Sequence, residues 1–203
     1  MHRKRPRIGR IGPDRHDKRY FAFEVLRYVL GDGFTSRLNQ RLREQLGITY
    51  GINASMQWRR ARGPFVIGSA IVTDKTGTGI AEALKIVDDL AASDVPAAEL
   101  DKAKQNIIRA LPRSFETNAQ TAAAFAELVR HGLPDDWYAQ VAPAVAKVTA
   151  AEVKAAAKAM IPSGTLAIAI VGDLAKVRPE IDKLGLGAPA AYDLDAAPLP
   201  AVK

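Results

Sequence analysis

Residues 30–51, LGDGFTSRLNQRLREQLGITYG, decide how this chain is read. The stretch opens on a glycine-rich turn, runs through a basic amphipathic helix and a glycine stop, and ends in a strand that carries a tyrosine. Gly31 and Gly33 are suited to ending a preceding helix, because glycine tolerates left-handed backbone. Thr35 or Ser36 then offers an oxygen to cap the next helix. Leu38, Leu42 and Leu46 recur at four-residue spacing and mark one buried face. Arg37, Gln40, Arg41 and Glu44 are left to the other sides. Gly47 stops the helix, and Ile48, Tyr50 and Ile52 follow with the alternation of a strand.

Upstream, residues 7–13 read as a short strand closed by Pro13. Asp17 is placed to cap a helix whose apolar faces come from Tyr20, Phe21, Phe23, Val25, Leu26, Val29 and Leu30. Downstream, two strands are expected over residues 48–59 and 64–73, joined by a charged hairpin turn whose arginines are exposed. A helix should start at Thr76 or Thr78, run to about Ala92, and break at residues 93–96. Some sixty helical residues follow, divided near Ser114, at residues 131–134 and at residues 148–149. Pro112 should kink or end the first of these helices, and Thr149 with Glu152 forms a capping-box pattern. Residues 162–164 end the last long helix. LAIAIVGD, residues 166–173, suits an interior strand. Strands first, a helical middle and a returning strand argue for an α+β fold, an antiparallel β-sheet with helices packed on one face. The expected organisation is one domain over residues 1–184, with residues 1–6 as a basic arm, and an Ala/Pro-rich, poorly ordered tail over residues 185–203.

Composition narrows the function. The 203 residues are 48% hydrophobic, which suffices for a core and argues against wholesale disorder. The absence of cysteine excludes disulfides and thiolate metal sites and leaves the compartment open. No apolar run reaches the length of a membrane span, and the first residues lack the apolar core of a signal peptide. The net charge of +7 is concentrated: residues 1–19 hold eight Lys/Arg against Asp14 and Asp17, leaving +1 for all the rest. No aromatic residue interleaves with this basic arm before Tyr20, so no stacking platform for nucleic acid is read there. The abrupt basic start reads as that of a piece of a longer protein.

The 30–51 stretch closely resembles a segment of the form LGGGFSSRLFQELREKRGLAYS, found in the non-catalytic half of insulinase/pitrilysin-type zinc metallopeptidases, the inverzincins. Asp32 replaces the middle glycine. The likeness continues through residues 131–153, HGLPDDWYAQVAPAVAKVTAAEV, and residues 166–173, and covers about residues 8–184. It implies the same α+β architecture. It also implies that the zinc lies in a partner half carrying H-x-x-E-H, on the same polypeptide or a separate subunit, and that this chain binds no cofactor itself. The residues agree with that division. His2, His16 and His131 have no glutamate at the required spacing, and the helix at the motif's place by analogy offers Glu24, Arg27 and Tyr28. His131, at a helix end before glycine and proline, reads as a partner of the helix dipole.

The resemblance assigns a role to two residues. Zinc-free halves often keep an arginine and a tyrosine seven residues apart, here Arg43 and Tyr50. Across a closed chamber Arg43 would donate hydrogen bonds to an extended peptide substrate, and the Tyr50 hydroxyl to the oxygen that gains charge during hydrolysis. On spacing alone the alternatives stay open: a surface arginine paired with an acid, and an ordinary strand tyrosine. The same fold also serves as a purely structural or peptide-binding subunit, as in core proteins of respiratory complexes. Bacterial relatives are frequently exported, but no residue here shows an envelope location. Residues 75–84 lack the order of a phosphate loop and read as a helix start, as do Asp135 and Asp136.

Overall fold

The computed structural model describes residues 3–193 and 195–199. Its centre is an open four-stranded antiparallel sheet of strands β1 (Arg3–Ile11), β2 (Thr49–Met56), β3 (Pro64–Val72) and β4 (Ala167–Val171), in the order β2-β3-β1-β4. Helices α1 (Tyr20–Gly31), α2 (Thr76–Ala92), α3 (Ala97–Ala110), α4 (Asn118–His131), α5 (Trp137–Lys147), α6 (Ala150–Met160) and α7 (Leu174–Asp182) complete it, with a π-helical segment over Asn39–Gln45 between α1 and β2. Apart from the start of β2, the strands alternate as one-sided strands should. Ile8, Ile52, Ala54, Phe65, Ile67 and Ile71 are buried beneath the helices, whereas Arg5, Arg7, Asn53 and Ser55 lie on the open face. α1, α2 and α6 close the core through Phe23, Leu26, Leu30, Ile80, Val87, Leu90, Val153 and Ala156. The α+β architecture with helices on one face is therefore observed.

Several boundaries follow the sequence closely. α2 ends at Ala92 as expected. Pro112 sits in a 3-10 turn, Leu111–Phe115, directly after α3, because proline cannot supply the next helical N–H. Thr149 and Glu152 form a true capping box, the Thr149 amide donating to the Glu152 carboxylate at 2.8 Å and the Glu152 amide to Oγ1 at 3.2 Å.

Other expectations need correcting. β1 starts at Arg3, four residues earlier than expected, and incorporates Pro6. β4 is an edge strand, not an interior one, with Ala167, Ala169 and Val171 exposed. A short run of apolar residues cannot by itself distinguish these cases. Asp17 accepts from the Arg19 amide at 2.8 Å, an Asx-type turn one step ahead of the helix. α2 does start at Thr76, as expected, but without a side-chain cap: Thr76 is fully buried and its hydroxyl donates to the Thr73 carbonyl at 2.9 Å. α7 is an element the sequence reading does not anticipate, with Pro179 inside it. In the tail, Asp193 organises a small turn by accepting from the Asp195 and Ala197 amides at 2.9 and 2.8 Å.

His131 is the largest correction. It is 3% exposed, and burial lowers its pKa, so it is held neutral instead of serving the helix terminus as a cation. Gly132 in left-handed conformation ends α4 instead. Near His131, the buried Arg15 guanidinium stacks on the Tyr20 ring at 3.6 Å and on Trp137 at 4.5 Å. This fastens the β1–α1 connection to α5.

Candidate functional site

The corner between the π-helical segment and β2 carries both residues singled out from the sequence. Gly31 matters here for a reason other than turn conformation. Its φ is not positive, but a Cβ there would meet the Ala54 amide nitrogen at 2.6 Å. Glycine thus lets the end of α1 lie directly on β2. Ser36 is buried at the start of the next helical stretch, yet its hydroxyl donates to the Gly33 carbonyl at 2.7 Å and accepts from a side chain, not from a helix N–H.

That side chain is Asn39, which sequence reasoning passed over. It is 6% exposed. Its amide nitrogen donates to the carbonyls of Gly33 and Ile52 at 3.0 and 2.8 Å and to Ser36 Oγ at 3.1 Å, and its Oδ1 accepts from the Ile52 amide at 3.1 Å. Asn39 thus pairs with Ile52 as a neighbouring strand would, and ties turn, helix and β2 together. The available signal was a lone amide beside the Leu38–Leu42 stripe, a position where a polar side chain must find partners.

The winding after Asn39 is wider than α. The Leu46 amide bonds to the Arg41 carbonyl five residues back, and the Ile48 amide reaches the Leu42 carbonyl at 3.0 Å. Gly47, with φ +61°, turns the chain out of the helix. Arg43 lies in this last wide turn, half-buried. Its guanidinium carbon sits 4.7 Å from the centre of the Phe34 ring, and its Nε 3.4 Å from the Glu44 carboxylate.

Tyr50 departs from the alternation expected of it. Thr49 pairs with Ile71 and Ile52 with Ser69, so Tyr50 and Gly51 oppose the single residue Ala70. This is a β-bulge, which re-aims one side chain. Ile48 and Ile52 stay in the core while Tyr50 is 78% exposed. Thr49 secures the bulge: its hydroxyl accepts from the Gly51 amide at 3.1 Å and lies 2.8 Å from Ser69 Oγ. Arg43 and Tyr50 are therefore presented from two ends of one tight corner, Leu46 to Ile48, braced by Asn39 on one side and Thr49 on the other.

Among the described residues, the α1 carboxylate at the motif's place is not free to hold a zinc ion. On α1, Glu24 accepts from Trp58 Nε1 at 3.0 Å and pairs with Arg27 at 3.0 Å, and Arg27 also holds Asp32 at 2.7 Å. The carboxylate nearest the motif's place is thus committed to a structural network. Among the described residues, no three His, Cys, Asp or Glu side chains gather as a ligand set. No helix among them is long and apolar enough to cross a membrane.

The sequence pattern of the peptidase M16 inactive domain matches residues 5–107, and the chain belongs to that family, whose members are the non-catalytic domains of insulinase/pitrilysin-like zinc proteases. No curated protein matches by sequence. Solved structures share the fold. A peptidase M16 inactive domain from Pseudomonas fluorescens superposes with a TM-score of 0.76 at 23% identity, over 84% of this chain and 41% of the other. A protease from Helicobacter pylori gives 0.76 at 15% identity, over 85% and 42%. A chain of complex III from Candida albicans gives 0.73 at 16%, over 89% and 47%. The chain thus spans less than half the length of each of these three.

Proposed function

We propose that this domain is the non-catalytic half of a zinc metalloendopeptidase, pairing with an H-x-x-E-H half and closing a chamber around an extended peptide. Arg43 binds the peptide backbone or a carboxylate, its planar fork suited to paired oxygen acceptors. The Tyr50 hydroxyl donates to the oxygen that becomes negative as the peptide bond is attacked. The H-x-x-E-H residues of the partner half would hold the zinc, which would supply an activated water; this chain's residues bind, orient and exclude solvent. The observation that carries the reading is the bulge at Tyr50 and Gly51, which turns a tyrosine out of a strand whose parity would bury it.

The test is reconstitution. Added to a catalytic half, on its own polypeptide or as a subunit, the chain should raise cleavage of a quenched unstructured peptide far above that of either half alone. A mixture no more active than the catalytic half would reject the proposal. The second reading, a structural or peptide-binding subunit, is favoured by the likeness to the complex III chain. It predicts peptide binding or assembly without any gain in turnover.

A further inference from the structure

At the opposite end of the sheet, a cleft of about 230 Å³ opens between the end of β1, the β2–β3 turn, the start of α1 and the end of α6. Met56, level with Phe65 and Arg10 across the sheet, lies six residues along β2 from Tyr50, roughly 20 Å at the usual rise. Arg10, Arg19 and Arg62 line it together with Asp14, Asp17 and Met160. Arg19 is neutralised by a two-pronged pair with Asp17, at 2.9 and 2.7 Å. The other two arginines are held but not neutralised. Arg10 donates to Thr165 Oγ1 at 2.7 Å; Arg62 donates from Nε to the Gly12 carbonyl at 3.0 Å and from a terminal nitrogen to the Ile11 carbonyl at 3.4 Å. Among the described residues neither meets a carboxylate. A guanidinium tethered through some of its N–H groups is pre-oriented to offer the rest.

We infer that this cleft is a carboxylate-binding site for a peptide, with Arg10 and Arg62 as its anchors. Charge selects the class. Three arginines against two aspartates leave a single positive charge within the cleft, which suits a monoanion. Asp14, whose Oδ1 accepts from the His16 amide at 2.9 Å, stands in the same cleft and repels a dense polyanion such as a phosphate cluster. Met160, Ile11 and Pro13 supply apolar wall for the stem that carries the carboxylate. That stem is an acidic side chain or a chain terminus. The inference does not depend on the peptidase reading, since Arg43 and Tyr50 lie at the other end of the sheet.

The experiment is a titration of the ¹⁵N-labelled 203-residue chain, followed through its arginine Nε–H signals. The probes are acetyl-Gly-Gly-Glu-Gly-Gly-amide, its Gln counterpart, acetyl-pentaglycine with a free terminus, and inorganic phosphate. The Glu peptide or the free terminus should shift the Arg10 and Arg62 signals, the stronger of the two identifying the source. Arg10→Gln and Arg62→Gln should each weaken binding about tenfold, a loss expected for one charge-assisted contact. Asp14→Asn should tighten it, a gain that a merely damaged fold would not give. Equal shifts from the Gln peptide, unchanged affinity in both arginine variants, or tighter binding of phosphate than of either carboxylate would overturn the assignment.

Discussion

Asn39 shows how one side chain can organise a corner of the fold. Both ends of its amide are used within the core, and the backbone groups of Ile52 depend on it as they would on a neighbouring strand. Removing it leaves a buried donor and acceptor without partners, each costing about 1–3 kcal/mol. Asn39→Leu should therefore destabilise the chain by at least about 2 kcal/mol in chemical denaturation. It should also broaden the amide resonances of Tyr50 and Gly51 in the folded state. A variant of unchanged stability would show that Ile52 finds other partners. Gly31 acts through space alone. Gly31→Ala must push α1 away from Ala54, an overpacking cost of about 1–3 kcal/mol, and the same denaturation measurement reads it.

At the scale of elements, the sequence is legible wherever a period or a cap carries the information. The leucine stripe, Gly47, and the Thr149–Glu152 pair all do what their chemistry requires. Thr149→Ala should cost about 1 kcal/mol, the usual value of a lost helix cap, and a melting curve that does not move would show that the cap is redundant. The π winding and the bulge are not legible. Leu38, Leu42 and Leu46 suit an α-helix as well as a wider turn, and parity counting places Tyr50 with Ile48 and Ile52 because it cannot see an inserted residue. Yet those two irregularities decide where Arg43 and Tyr50 point. Resemblance thus proposes the pair, whereas the backbone devices around it are visible only in the structure.

Across the whole molecule, the link between the β1–α1 connection and the far helices rests on a cation buried among aromatic rings beside a neutral histidine. Burial lowers the His131 pKa from its ordinary value near 6.5; Glu127 at 3.0 Å pulls the other way, while Arg15 and Arg130 push it further down. The unfolded chain therefore takes up a proton that the folded chain resists. Stability should be fully present above about pH 6.5 and fall as the pH drops through that value towards the lower folded pKa. Melting temperatures measured between pH 7.5 and 5 should show this decline, and His131→Gln should flatten it. A decline that persists unchanged in the variant would assign the effect to other groups.

The assembled molecule is also where the central claim is decided. In a reconstituted peptidase, the kcat and KM of Arg43→Ala and Tyr50→Phe measure it directly. If Tyr50 donates to the developing charge, Tyr50→Phe should lower kcat by about 10²-fold with little change in KM, the usual effect of removing one such donor. Arg43→Ala should act chiefly by raising KM, and the zinc content of the partner half should stay the same in both. Wild-type kcat and KM in both variants would contradict the account and leave this corner as scaffold.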